Sequence, residues 1–218
     1  MQHKLLKTML LALLVWAVVP SLEAQVAHVG DILCEGDLVV SPANYNASTQ
    51  TAKAVVFYVD NTGQHGWAIA LQDAGSFAWG SKYTDTPLTN YYGGYDGTNG
   101  RRQAIYDIDG YHNTQTIRES YNYAAFNAVD FENGWYLPAI GQLNYLYGNL
   151  DEVNVSLESV GGTRFVGGWE YWSSTEGQKE FAWWLCSSGE LRCCVSGDYY
   201  NLYYAKNASR LVRAAINF

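Results

Sequence analysis

The apolar positions of the chain follow two different periods. Val55-Val56-Phe57-Tyr58-Val59 and Trp67-Ala68-Ile69-Ala70-Leu71 are β-branched and aromatic runs. Between them lies Asp60-Asn61-Thr62-Gly63-Gln64-His65-Gly66, dense in turn formers, so the pair predicts a β-hairpin. A smaller strand–turn–strand is expected over Ile32 to Val40, turning at Glu35-Gly36-Asp37. Asp73 to Gly110, rich in Gly, Tyr, Asn and Asp, predicts long loops.

In the middle of the chain the spacing becomes helical. Ile117, Tyr121, Ala124, Ala125 and Ala128 predict a helix over Thr116 to Val129. Pro138 stands where a second would begin, with Leu143, Leu146, Tyr147 and Leu150 at three- and four-residue steps. A third, short helix is expected at Glu152 to Val160, closed by Gly161-Gly162.

Strand patterns then return. Ala182-Trp183-Trp184-Leu185-Cys186 and Leu191-Arg192-Cys193-Cys194-Val195 flank Ser187-Ser188-Gly189-Glu190, a second hairpin. In the last eight residues Val212, Ala214, Ile216 and Phe218 share one face, with Leu211, Arg213, Ala215 and Asn217 on the other. This predicts a final strand, with the Val55–Val59 strand as its partner. Strands, then helices, then strands predict an α+β domain of mixed or antiparallel sheets, two or three helices and long loops.

The N-terminus changes the picture of where the protein works. Lys4 and Lys7 precede the apolar run Met9 to Val19, and Pro20 and Ser21-Leu22-Glu23-Ala24 follow it. That order reads as a secretory signal peptide of residues 1–24, too short for a membrane span, which needs about 20 apolar residues. Residues 25–54 then form an N-terminal strand–turn–strand segment and 55–218 the main domain. Export to the cell surface or beyond is expected. Cleavage would remove Lys4, Lys7 and Glu23 and move the formal charge from −8 to −9. Such a balance excludes nucleic acid and anionic membranes as expected partners, since both recruit Lys/Arg clusters.

The four cysteines, Cys34, Cys186, Cys193 and Cys194, lack the spacing of a disulfide framework or a zinc site. No cofactor and no metal are expected. Asp107 and Asp109, near Asp96, are the best oxygen donors for calcium, yet loop decoration is the favoured reading because calcium needs six to eight convergent oxygens.

Three segments carry a resemblance when taken together. They are Gly134-Trp135-Tyr136-Leu137-Pro138 with Gln142-Leu143, Tyr171-Trp172-Ser173-Ser174-Thr175-Glu176 with Ala182-Trp183, and Leu211-Val212-Arg213-Ala214-Ala215. In that order and spacing the chain resembles the bacterial family named for the C-terminal domain of a collagen-like adhesin. The resemblance implies a C-type-lectin-like fold over about Val55 to Phe218 and a surface or secreted adhesion protein. Each motif also has a fold role on physical grounds. Trp135 buries a large aromatic surface at a turn, Pro138 presets a helical turn, and the hydroxyls of Ser173, Ser174 and Thr175 suit a hydrogen-bonded strand face. The chain lacks the Glu-Pro-Asn, Gln-Pro-Asp and Trp-Asn-Asp triplets with which sugar-binding C-type lectins hold calcium and sugar.

Composition sharpens the functional reading. Aromatic residues make up 15% of the chain, with 18 Tyr and 8 Trp, while charged residues make up only 16%. The doublets Cys193-Cys194, Tyr199-Tyr200 and Tyr203-Tyr204 put one member of each pair away from any strand's core face. With Trp183, Leu185 and Leu191 inward, Trp184, Cys186, Glu190, Arg192, Cys194 and Ser196 point outward. Two readings fit: a second small core under a long loop, or a ligand-binding face. The second is favoured, because Trp, Tyr and Arg dominate binding hot spots. Its candidate residues are Trp184, Glu190, Arg192, Ser196, Asp198, Tyr199, Tyr200, Asn201, Tyr203 and Tyr204.

The Trp-Ser-Ser-Thr-Glu and Val-Arg-Ala motifs also look like the variable proteins of diversity-generating retroelements. There, adenine-directed errors turn Asn-type codons into those for Tyr, Cys, Ser, Asp, Gly, Arg, Leu and Val. Nearly all residues from Arg192 to Leu202 belong to that set. The chain thus reads as a secreted or surface binder, not an enzyme, with an unknown protein or glycan on another surface as partner. Two alternatives remain: an oxidase like the formylglycine-generating enzymes, which share the broader fold and use copper-holding cysteines, and a structural subunit of a pilus or envelope assembly.

Overall fold

The computed structural model describes residues 26–91, 103–189, 191–192 and 205–218, so the 1–24 leader lies outside the described residues. In chain order the strands begin with β1 (Ile32–Cys34), β2 (Val39–Val40), β3 (Ala52–Val59), β4 (Gly66–Ala70) and β5 (Gly75–Ala78). Among the described residues four α-helices follow, α1 (Gly110–Ser120), α2 (Ala124–Asn127), α3 (Ile140–Gly148) and α4 (Leu150–Ser159). The chain then returns to β6 (Glu170–Gln178), β7 (Phe181–Cys186), β8 (Leu191–Arg192), β9 (Ser209–Val212) and β10 (Ala215–Asn217). The protein is α+β, as its pattern predicts.

Among the described residues two five-stranded sheets form. The first has the order β10-β4-β3-β1-β2 and is antiparallel throughout. The second has the order β5-β9-β6-β7-β8 and is mixed, because β6 and β9 run parallel. The N-terminal strand–turn–strand joins the first sheet through β1 and β3, with Ile32 opposite Val55. Its turn needs left-handed backbone at two successive residues, and Gly36 (φ 75°) and Asp37 (φ 60°) supply it.

The main core lies between the sheets and the α3–α4 pair. Val55, Phe57 and Ile69 of the first sheet meet Ile140, Leu143, Leu146, Val153 and Leu157 of the helices and Tyr171, Trp183 and Leu185 of the second sheet. The other face of the second sheet is also covered. Trp172, Ala182, Trp184 and Cys186 pack there with Trp79, Ile117 of α1 and Ala125 and Phe126 of α2.

Four local expectations differ from the structure. The last eight residues form two strands: β9 lies in the second sheet, and β10 pairs with β4, Ile216 opposite Ala68, rather than with Val55–Val59. A buried Arg213 stands at the crossing, where both faces of the chain are covered, so simple alternation could not locate it. The helix expected over Thr116–Val129 begins at Gly110 and stops at Ser120. Its early turns bury Asn113 and Thr114, which carry no apolar signal, and Tyr121 is already extended. Tyr123 then packs over Gly80, where a Cβ would lie 2.6 Å from the ring. Strand β5 emerges from the stretch expected to be loop. Helix α3 begins at Ile140, two residues beyond Pro138, because the Thr175 hydroxyl accepts the Ile140 N–H at 2.9 Å.

Candidate functional site

The Ser-Ser-Thr run of β6 ties the scaffold together. Ser173 Oγ donates to the Trp183 carbonyl (2.8 Å), and the Asn113 amide donates to Ser174 Oγ (3.2 Å). Thr175 Oγ1 donates to Asp107 (2.6 Å) while accepting from Ile140. Asp107 is buried and also accepts from the Asn113 amide at 3.0 Å. Burial pushes its carboxyl above the ordinary 3.8, and the bonds from Thr175 and Asn113 pull it partly back. Asp109 caps α1 by accepting the His112 N–H (3.0 Å), and Asp96 lies outside the described residues. The two described aspartates thus hold α1 in place on separate bonds.

Of the ten residues assigned to a ligand face, Trp184 is buried and does not point outward. The reason is that β7 is covered on both sides, Trp183 and Leu185 by the main core, Trp184 and Cys186 by the α1–α2 layer. Arg192 lies in β8 opposite Trp184. Glu190, Ser196, Asp198, Tyr199, Tyr200, Asn201, Tyr203 and Tyr204 lie outside the described residues.

What the structure does place is the ground on either side of that segment. On its N-terminal side, β8 is paired to β7 by Leu191 opposite Leu185. On its C-terminal side three basic residues of the returning chain are buried, each beside an acid. Lys206, fully buried, meets the equally buried Glu176, donates to the Thr84 carbonyl (2.8 Å) and sits 4.7 Å from the Trp79 ring centre. Thr86 donates to the same Glu176 carboxylate. Burial works against both charges, pushing Glu176 up and Lys206 down, and their mutual contact works back.

Four residues on, the Arg210 guanidinium lies against two indoles, 4.2 Å from the Trp172 ring centre and 4.0 Å from that of Trp184, and its Nε lies 3.2 Å from Glu170. Arg213 Nε pairs with Asp73 at 2.5 Å, and its guanidinium lies 4.1 Å from the Phe165 ring. Backbone bonds complete the anchorage. Lys206 N–H donates to Glu180 O and Gly80 N–H to Lys206 O, both at 3.0 Å, and Ala205 bridges Phe181.

A second feature lies on the first sheet. An open cleft of about 850 Å³ is lined by the β1–β2 turn, Lys53 of β3, Tyr111 of α1, Asp130, the Asn133–Trp135 turn and the β10 residues up to Phe218. It exists because a ladder stops short. Tyr136 and Ala215 exchange both backbone bonds at 2.9 Å. The next rung would set Asn217 opposite Gly134, but Gly134 is left-handed (φ 85°) and gives its N–H to Phe131 instead.

No protein-family model matches the chain, and no curated protein does. Over 88% of its length it is similar to a solved structure, a fimbrial protein from Bacteroides ovatus ATCC 8483, with a TM-score of 0.63 and 20% identity. The two share a fold. The match covers 49% of that protein, so this chain spans about half its length. No helix among the described residues is long and apolar enough to cross a membrane.

Sequence reasoning passed over both the buried cations and the cleft. Lys206, Arg210 and Arg213 follow one another at four- and three-residue steps in a stretch otherwise small or aliphatic, which was a usable signal. The cleft gathers residues from five separate parts of the chain, so no local pattern announces it.

Proposed function

We propose that this chain is an exported, non-catalytic binding domain of C-type-lectin-like architecture, displayed at the bacterial surface, with the aromatic segment from Arg192 to Tyr204 as its ligand face. The observation that supports this is the fixed ground around that segment. The chain leaves a paired strand and returns to Lys206, Arg210 and Arg213, all buried beside acids. Buried charges fix register more sharply than apolar contacts do, because a slip strands an unpaired ion. A scaffold so anchored can carry many sequences between the two ends, as sequence diversification requires. The fimbrial protein of like fold favours a second reading, a subunit or tip domain of a fimbria, in which surface display and assembly go together.

The test is adherence by the protein freed of residues 1–24, immobilised on beads, compared with a variant carrying Ser at Tyr199, Tyr200, Tyr203 and Tyr204. Loss of adherence to cells or matrix at unchanged melting temperature is the expected result. Unchanged adherence sinks the proposed face. Sequencing the gene across sister isolates tests diversification: substitutions concentrated at adenine-derived codons of this segment are expected, and an invariant segment refutes it.

A further inference from the structure

The cleft on the first sheet brings carboxylates and aromatic rings onto one surface. Its walls present three carboxylates, Glu35, Asp37 and Asp130, against one ammonium, Lys53. Lys53 is engaged, with Nζ 2.7 Å from Asp37 and its side chain only 14% exposed. Among the described residues, neither Glu35 nor Asp130 has a basic side chain at ion-pair distance. The aromatic groups are Tyr111, 40% exposed and stacked on Phe131 at 4.8 Å, the half-buried Trp135, and Phe218. Its volume falls within the range of about 300–1,000 Å³ typical of ligand sites.

The backbone adds a directional element. Along β10, Phe218 bonds Gly66 of β4 while Ala215 bonds Tyr136 on the opposite side. Alternation therefore turns the Asn217 N–H and C=O toward Tyr136's side as well, where the left-handed Gly134 gives its N–H to Phe131 instead. Among the described residues nothing bonds the Asn217 backbone there. One donor and one acceptor thus face the cleft beside the aromatic and acidic walls.

We infer that this cleft binds a basic side chain, guanidinium or ammonium, presented by a peptide segment of a protein partner. A cation among carboxylates and aromatic faces gains from both, through charge and through the ring quadrupoles. A bare metal ion does not suit the walls: among the described residues no three acidic, His or Cys side chains converge on one point. A peptide also supplies backbone groups for Asn217. The inference does not rest on the reading proposed for the aromatic segment.

The experiment is calorimetric titration of the protein with capped Gly-Arg-Gly at low salt, with Gly-Glu-Gly and cellobiose as comparison ligands. Gly-Arg-Gly is expected to bind, with affinity falling as salt rises. The paired variant Glu35→Gln/Asp130→Asn is expected to weaken it about tenfold, as two exposed charge contacts imply. Lys53→Gln is expected to tighten it about threefold, by removing the one competing cation. Glu35 and Asp130 are exposed, Lys53 is largely covered but its partner Asp37 is exposed, and an unchanged melting temperature checks that folding is intact. Binding of Gly-Glu-Gly as tightly as Gly-Arg-Gly, binding of cellobiose alone, or indifference to the charge variants would each overturn the inference.

Discussion

The two sheets are held by different forces. The first rests on Val55, Phe57 and Ile69 against helices, with its charged groups outside, along the cleft. The second buries Lys206, Arg210 and Arg213 together with Glu176, all within its layers. Apolar burial is strong but undirected, at roughly 25 cal/mol per Å², and tolerates a shifted neighbour. Ion pairs inside protein contribute little net stability against desolvation, yet they penalise every arrangement that separates them. The charged clamps lie on residues 206–213, in and next to the end strands β9 and β10, where fixed position matters more than added stability.

Breaking a clamp on one side is expected to have the largest effect. Lys206→Met leaves the buried Glu176 carboxyl without its cation, and should cost about 3–5 kcal/mol by chemical denaturation. The double variant Lys206→Met/Glu176→Leu should recover most of that loss. The contrast with the first sheet lies in the rescue. Ile69→Val should cost about 1 kcal/mol there, and no second substitution of a neighbour should return it. If the double variant is as unstable as the single, the pair does not act as a unit and the contrast between the sheets fails.

The same contrast governs what could be read from the sequence. The β3–β4 hairpin, α3 and α4 follow apolar periodicity, and they are the elements that serve the main core. Periodicity failed where a surface was buried by other means. The early turns of helix α1 bury Asn113 and Thr114, polar residues held by Asp107 and by the Leu137 backbone 23 residues away. Both faces of β7 are covered, so the rule of one inward and one outward face put Trp184 on the wrong side. The break between β9 and β10 turns on Arg213 meeting Asp73, separated from it by 140 residues. As for the candidate site, its aromatic content was legible at once. The ground that fixes its ends was not, because each clamp joins distant residues.

The buried Asp107 node offers a smaller, pH-dependent test of polar anchorage. Its folded value is raised, so the folded protein holds a proton there more tightly than the unfolded chain does. Stability from this source is therefore fully present below the ordinary 3.8 and is lost as pH rises through the folded value. Asp107→Asn cannot titrate. Relative to the parent, that variant should gain stability as pH climbs from about 3 upward, by about 1.4 kcal/mol for each tenfold change in proton affinity. Thermal unfolding at a series of pH values measures the difference. A difference flat with pH would mean that Asp107 keeps an ordinary carboxylate value despite its burial.

The smallest expected effect tests the clamps most directly. Replacing residues 193–204 with a Gly/Ser sequence of the same length keeps the loop-closure cost nearly constant, since that cost depends on length alone and only logarithmically. With Ser at all but three positions, two added glycines at about 0.4–1 kcal/mol each should cost on the order of 1 kcal/mol in total. If the returning strand is fixed by Lys206, Arg210 and Arg213, nothing more is lost, and the melting temperature should fall by only a few degrees. If instead the four tyrosines and two cysteines form a second small core, their removal exposes several aromatic contacts at once. The loss would then reach several kcal/mol, with cooperative unfolding of the β7–β8 hairpin detectable by hydrogen exchange. A small loss with abolished adherence would separate display from folding; a large one would return the segment to the scaffold.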